Sequence, residues 1–177
     1  AMTGDKPLSF FMKLGGFKIY KLFFVMSNMD GFLFVNESDF MKARDKIRKG
    51  KGKILVFSSD DDELNRKVLE KEKINVLLLN QRGRKDRMKQ RESGLNHVLA
   101  KEAKKNDVSI GINLDEIIES RGKQRAEIFA RIIQNIKICN KNKLKMKFIF
   151  FKHERNLHDL KSLGLVLGMP TWMTFSL

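Results

Sequence analysis

Cysteine is almost absent from this sequence, because Cys139 is the single one among 177 residues. One cysteine excludes an internal disulfide and any zinc site built from several thiolates, and it indicates an intracellular protein. Tryptophan and tyrosine each occur once, and most of the 14 phenylalanines lie in apolar runs. A surface of aromatic side chains for stacking single-stranded bases is therefore not indicated.

Long apolar runs are also scarce, and acidic residues are far outnumbered by basic ones. Residues 17–26 are apolar, but the run is short and Lys18 and Lys21 interrupt it, so no membrane span is predicted. No small-residue cleavage site follows, so a signal peptide is not predicted either, and we expect a cytoplasmic protein. Lys and Arg number 36 against 21 Asp and Glu, which gives a formal net charge of +15. Such an excess favours a polyanionic partner, either nucleic acid or an anionic membrane surface.

The sequence does contain an alternation of apolar strands and amphipathic helices. Strands are predicted at residues 8–14, 31–36, 53–59, 74–80, 108–114 and 146–152, while residues 171–177 fit either an edge strand or a helix start. Helices are predicted at 17–28, from a Ser38 cap, after the acidic run 60–63, from near Ser93, at 123–140 and at 157–168. This rhythm predicts right-handed βαβ units and a mainly parallel sheet in a single α/β domain over residues 1–177.

The helix at 123–140 has the clearest pattern of all. Its predicted buried face carries Ala126, Phe129, Ile132, Ile133 and Ile136, and its predicted outward face carries Gln124, Arg131, Gln134 and Lys137.

A basic stretch at residues 82–114 begins with a run of charges that are nearly all positive. Its first part contains one acid, Asp86, and six cations: Arg82, Arg84, Lys85, Arg87, Lys89 and Arg91. The helix predicted to follow places Leu95, Val98, Leu99 and Ala103 toward the core, and His97, Lys101 and Lys104 outward. Guanidinium groups beside the free N–H groups of a helix N-terminus form a site for phosphate. A solvated charged loop is the alternative.

The same stretch resembles a known family. The sequence GRKD, a variable insert and GLNHVLAK match the archaeal ribonuclease P protein component 3 pattern at Arg84, Lys85, Asp86, Gly94, His97, Val98, Leu99 and Ala100. The match resumes at Arg125–Ala126 and at residues 159–169, DLKSLGLVLGM. The departures are a longer, more basic insert at 87–93, Asn96 in place of Asp, and Lys152, His153 and Glu154 where small residues are typical.

The resemblance implies a TIM-like (β/α) barrel with helices outside. Relative to that family, the chain has one βα unit fewer between residues 59 and 74 and lacks the last helix. With six to seven strands, the barrel is expected to be small or incomplete. It further implies a protein subunit of ribonuclease P, in which the RNA subunit carries out removal of the 5′ leader from precursor tRNA. The implied partners are ribonuclease P RNA, precursor tRNA and ribonuclease P protein component 2 in a two-plus-two assembly, with no membrane and no cofactor. The expected RNA-binding residues are Arg82, Arg84, Lys85, Arg87, Lys89, Arg91, His97, Lys101 and Arg125.

A metal-dependent phosphoesterase of barrel fold is the alternative function. Its ligands would have to converge at the carboxyl ends of several strands, where the sequence offers Asp115 and the acidic run 60–63. With no second acidic cluster elsewhere, that run is better explained as a helix cap. The three histidines, His97, His153 and His158, follow no His-x-His pattern, and no Gly-rich phosphate loop or G-x-S-x-G occurs. We therefore predict no catalytic or metal-binding residue in the chain. A general polyanion-binding scaffold is a third hypothesis.

Overall fold

The computed structural model describes residues 31–88 and 91–175, and the five strands within them form one parallel sheet. In sheet order and chain order these are β1 (Phe32–Asn36), β2 (Ile54–Ser58), β3 (Val76–Leu78), β4 (Ser109–Asn113) and β5 (Met146–Ile149). The register runs Val35 opposite Phe57, Phe57 opposite Leu77 and Leu77 opposite Ile110. All four pairings are parallel, which confirms the predicted α/β class.

Helices separate the strands in sequence. They are α1 (Phe40–Lys49), α2 (Asp62–Lys71), α3 (His97–Lys105), α4 (Leu114–Glu119), α5 (Gly122–Lys141), α6 (Leu157–Val166) and α7 (Thr171–Thr174). The acidic run 60–63 acts as a cap, because Asp61 accepts a hydrogen bond from the Glu63 N–H at 2.9 Å. Helix α1 is capped by Asp39 rather than by Ser38, since the Asp39 carboxylate accepts from the Lys42 N–H at 3.0 Å. Within the described ranges, no helix is both long enough and apolar enough to cross a membrane.

The two faces of the sheet bury different amounts of apolar surface. The face toward the helices carries the main core, in which Phe57, Leu77 and Ile110 are fully buried. The other face carries a smaller cluster made of Val56, Val76, Leu78 and Ile149, with Phe34 and Phe151 packed against it. The rings of Phe34 on β1 and Phe151 just after β5 meet edge to face, with centroids 4.8 Å apart. The sheet therefore curves strongly toward this smaller cluster.

The predicted strand count is too high for the described part of the chain. Residues 31–88 and 91–175 contain five strands rather than six to seven, and β1 does not pair with β5, so these strands do not close a barrel. The strand predicted at 8–14 and the helix predicted at 17–28 lie outside the described residues. Residues 171–174 form helix α7, because Pro170 precedes them and its carbonyl accepts from the Thr174 N–H at 3.2 Å.

Two further predictions about the basic stretch are wrong. Helix α3 begins at His97 rather than near Ser93, because the Asn96 side chain caps it by accepting from the Leu99 N–H at 2.8 Å. Val98 is 64% exposed, since this later start directs Leu99, Ala100 and Ala103 to the core instead. Helix α4 was not predicted, and it begins directly after β4 with Asn113 as its cap.

Candidate nucleic-acid interface

A basic loop, here residues 81–88 and 91–96, connects β3 to α3 at the carboxyl edge of the parallel sheet. This edge also carries a row of polar side chains at the strand ends. The Asn113 amide donates to Asn80 Oδ1 at 3.1 Å, and the Asn80 amide lies 3.3 Å from Ser58 Oγ. Ligand sites of parallel α/β proteins lie at this edge because the connecting loops meet there.

Arg84 anchors the basic loop to helix α2. Its Nη1 and Nη2 donate to the two carboxylate oxygens of Asp62 at 2.8 and 2.7 Å, and its Nε donates to the Asn80 carbonyl at 2.6 Å. Burial lowers the pKa of Arg84, but the hydrogen bond and charge of Asp62 outweigh it and leave the pKa raised. Such a two-pronged ion pair fixes both distance and orientation. Gly94 lies against this pair at φ +74°, and a Cβ there would be 2.7 Å from both Arg84 Nη2 and Asp62 Oδ1.

Arg131 of helix α5 holds the basic loop from the opposite side. It was predicted to point outward, but it is 3% exposed. Its Nε donates to Asp86 Oδ1 at 2.8 Å, its Nη1 to the Gln81 carbonyl at 3.0 Å and its Nη2 to the Arg84 carbonyl at 2.8 Å. The hydrogen bond from Arg131 is the main cause that lowers the pKa of Asp86. One guanidinium thus fixes three points along the loop.

Two consecutive carboxylates of helix α4 bind loop amides on either side of β4. The Gln81 and Arg82 N–H groups donate to Glu116 at 2.8 and 3.3 Å. Burial raises the pKa of Glu116, and these two hydrogen bonds partly counter that shift. Asp115 accepts from the N–H groups that follow β5, at residues Phe151 (2.6 Å), Lys152 (3.2 Å) and His153 (2.9 Å). Both oxygens of Asp115 are therefore engaged by backbone donors.

The remaining cations of the basic loop are exposed and loosely paired. Arg82 lies 3.5 Å from Glu119, Arg87 lies 3.0 Å from Glu92, and Arg91 lies 3.9 Å from Asp86, with exposed side-chain fractions of 45%, 77% and 49% respectively. Surface ion pairs of this kind contribute little to stability, so their partners are readily exchanged. Lys85 is exposed, and Lys89 lies outside the described residues.

The other predicted site residues have different surroundings. His97 Nδ1 lies 3.4 Å from the Asn142 amide, and Lys101 is exposed on the same helix. Arg125 fastens the end of α4, since its Nε donates to the Ser120 carbonyl at 2.6 Å and its Nη2 to the Ile118 carbonyl at 3.0 Å. The guanidinium groups of Arg84 and Arg125 thus donate to carbonyl and carboxylate oxygens of the fold. The side chains at the surface are those of Arg82, Lys85, Arg87 and Arg91.

Two shallow cavities flank the basic loop. One of about 360 Å³ is lined by Asp60, Asn80, Arg82, Gly83 and Arg84. The other, of about 300 Å³, lies between the loop and helices α2 and α3, with Arg66 and Arg87 in its wall. Both are open and polar, which suits groups that remain partly hydrated, such as phosphates. His97, Lys101 and Arg125 line neither cavity.

A metal site needs several His, Cys, Asp or Glu side chains that converge, and the structure describes residues 31–88 and 91–175. No set of three or more His, Cys, Asp or Glu side chains converges there. Cys139 is fully buried, and burial raises the pKa of its thiol to about 12, so it is not a nucleophile.

The fold and this edge define an α/β parallel-sheet protein with a clamped basic loop. Comparisons with known proteins confirm the predicted resemblance to ribonuclease P protein component 3. Proteins of that name from Methanococcus maripaludis strain C7 and Methanothermobacter thermautotrophicus are 31% identical over 106 residues and 26% identical over 131 residues. A third, from Methanosarcina acetivorans, is 32% identical over 88 residues.

These matches are partial on both sides. They cover 60%, 74% and 50% of this chain, and 43%, 50% and 34% of the three relatives. The chain therefore spans about half the length, or less, of the curated relatives that it matches. No family model matches the chain.

A solved structure supports the fold. One chain of a cryo-EM structure of archaeal ribonuclease P with mature tRNA superposes with a TM-score of 0.65 at 22% identity, covering 80% of this chain and 62% of that chain.

Proposed function

We propose that this chain is a protein subunit of ribonuclease P that binds RNA backbone and so supports RNA-catalysed removal of the 5′ leader from precursor tRNA. The observation that carries the proposal is the basic loop: it is held rigidly from inside by Arg84 and Arg131, while Arg82, Lys85 and Arg87 stay exposed on its outside. A loop whose backbone is already held in place loses little backbone entropy when its cations meet phosphates. The similarity to ribonuclease P protein component 3 supports ribonuclease P RNA and precursor tRNA as the RNAs that the loop binds.

The proposal includes the wider context that the resemblance implies. The five curved strands would be part of a small TIM-like barrel in a single domain, acting in the cytoplasm. Its partners would be ribonuclease P RNA, precursor tRNA and ribonuclease P protein component 2 in a two-plus-two assembly. The chain itself would position RNA and supply no nucleophile.

The RNA-contacting set is proposed to be Arg82, Lys85, Arg87, Lys89, Arg91, His97 and Lys101, with Arg84 and Arg125 acting through the loop and helix that they hold. Contacts to phosphate position an RNA without reading its sequence. Among the described residues, no aromatic side chain lines either cavity beside the basic loop, which fits a backbone contact better than base stacking.

The test compares the protein with an Arg82→Gln, Lys85→Gln, Arg87→Gln variant, using fluorescence anisotropy with fluorescein-labelled precursor tRNA and an unrelated RNA hairpin. We expect weaker binding to both RNAs and a slope of log K against log salt that is flatter by about two to three, if each residue meets one phosphate. The three side chains lie on the surface, so chemical denaturation should show a change within about 0.5 kcal/mol.

Binding and slope that stay at the values of the unmodified protein would refute the proposed interface. A loss confined to one of the two RNAs would refute backbone contact and indicate base readout instead. Reconstitution with ribonuclease P RNA and component 2 extends the test to activity. We expect the reconstituted variant to process precursor tRNA more slowly than the unmodified protein at elevated salt.

A further inference from the structure

A second basic surface lies at the opposite, amino edge of the sheet, away from the basic loop. It is a cleft of about 550 Å³ between the C-terminal ends of α1 and α2 and the starts of β2 and β3. Among the described residues, its wall carries one acid, Glu72, and five cations: Arg48, Lys51, Lys53, Lys71 and Lys73. We refer to it as the amino-edge cleft.

The acid in this cleft is already neutralised. Glu72 has a side chain only 8% exposed, and it lies 3.4 Å from Arg48 Nη2 and 3.6 Å from Arg44 Nε. Lys51, Lys53 and Lys73 are exposed, and none of their ammonium groups makes an ion pair with the residues that the structure describes. The cleft therefore has uncompensated positive charge within one concave surface, where a low-dielectric wall strengthens the potential.

The cleft also contains a fixed polar donor. Asn75 stands immediately before β3, and its Oδ1 accepts from the Leu55 N–H at 2.8 Å, which sets the orientation of the side-chain amide. Its Nδ2 has no partner in residues 31–88 and 91–175 and is available beside the lysines. An oriented neutral donor next to several exposed ammonium groups is a combination found in phosphate-backbone contacts.

The apolar residues of the cleft argue against a protein partner. Ile47, Leu55 and Ile74 line it, but they are only 3%, 7% and 5% exposed. A protein interface needs a desolvated apolar or aromatic centre, and these side chains offer almost none. A nucleic-acid backbone needs no such centre, because its affinity comes from phosphate neutralisation and counterion release.

We infer that the amino-edge cleft is a second site for RNA backbone phosphates, separate from the basic loop. The inference rests on the proposed RNA-binding role and extends it to another surface of the chain. The two sites lie at opposite ends of the strands, about 16 Å apart or more for strands of five residues. A single folded RNA with two helical segments, or one long segment passing along α2, would contact both sites.

The experiment removes charge from each surface in turn and measures binding of one fluorescein-labelled RNA hairpin by anisotropy over a salt series. The cleft variant is Lys51→Gln, Lys53→Gln, Lys73→Gln. The loop variant is Arg82→Gln, Lys85→Gln, Arg87→Gln. A matched control removes the same charge from exposed positions of helix α5: Lys123→Gln, Lys137→Gln, Lys141→Gln.

We expect the cleft variant to bind more weakly, with a slope of log K against log salt flatter by about two to three, while the control keeps the original slope. A cleft variant with the original slope, beside a loop variant whose slope falls, would overturn the cleft and leave the proposed function intact. The reverse pattern would sustain the cleft and refute the loop.

Two other outcomes would also overturn the inference. An equal fall in slope for the α5 control would assign the effect to overall charge rather than to a site. The second outcome uses polyglutamate and unlabelled RNA of equal charge as competitors of the hairpin. If polyglutamate displaces the hairpin as effectively as RNA from the unmodified protein, but not from the cleft variant, the cleft would be assigned to an acidic protein segment.

Discussion

The basic loop has an inner part, Arg84 and Asp86, whose side chains hold the loop to the fold. Its outer part is made of exposed cations: Arg82, Lys85, Arg87 and Arg91. The side chain of Arg84 is 12% exposed and holds Asp62 with two hydrogen bonds, whereas that of Arg87 is 77% exposed and lies beside Glu92. Asp86 belongs to the inner part, because it is bound to Arg131. Side chains that hold the loop therefore alternate with side chains that it presents. A run of cations in a sequence is a mixture of structural and binding residues, and burial separates them.

Removal of Arg131 should have the largest effect on this arrangement. An Arg131→Met variant removes one of the donors to Asp86 and a donor to each of two loop carbonyls, and we expect unfolding to cost about 3 kcal/mol less. Urea denaturation measures this loss, with Lys137→Met on the exposed side of the same helix as the control. A difference between the two variants below about 1 kcal/mol would mean that the inner part does not depend on Arg131.

Two glycines of the basic loop also differ in what surrounds them. Gly94 and Gly83 both have positive φ, at +74° and +77°, but a Cβ would find neighbours within 4 Å only at Gly94, chiefly the Arg84–Asp62 pair. Gly83→Ala should lower stability by about 1 kcal/mol through backbone strain alone. Gly94→Ala should lower it by about 2 kcal/mol or more, because the ion pair must also separate. Equal losses in thermal or chemical unfolding would contradict a structural role for the pair.

The acid dependence of stability should show the smallest effect. The pKa of folded Asp86 is lowered, chiefly by Arg131, so its contribution is complete above its unfolded pKa of about 3.9 and is lost as pH falls through the folded pKa. We expect the stability difference between the unmodified protein and Asp86→Asn to be constant from pH 7 to about 5 and to shrink below about 3.9. A difference that stays constant to the lowest measurable pH would show that folding does not lower the pKa of Asp86.

Most of the scaffold could be predicted from sequence periodicity. All five described strands overlap predicted ones, and α5 (Gly122–Lys141) lies within one residue of its predicted bounds at each end. Apolar runs such as residues 74–80 are reliable because a parallel strand is covered on both faces. The strand total was less predictable, since residues 171–174 carry no period that separates a strand from a short helix.

The contacts that hold the inner part of the basic loop were not predicted. The periodicity of apolar residues in the helix at 123–140 places Arg131 on the outward face. Yet the buried positions of α5 are Ile128, Arg131, Ile132, Asn135, Ile136 and Cys139, a stripe in which spacings of one and three alternate. A polar residue in the middle of such a stripe indicates a buried hydrogen-bonding role, so Arg131 could have been found. Its acceptors could not, because Asp86 and Gln81 lie 45 and 50 residues away in the chain.

The consecutive carboxylates of helix α4 link the hydrogen exchange of two separate loops. Glu116 accepts from amides that follow β3, and Asp115 accepts from amides that follow β5, so one helical turn carries the acceptors for both loops. When that turn opens, the N–H groups of Gln81 and Phe151 lose protection in the same event. Their hydrogen-exchange rates should therefore rise and fall together as one cooperative unit. A polyanion that slows exchange at Gln81 should also slow exchange at Phe151, on a strand end that it does not touch.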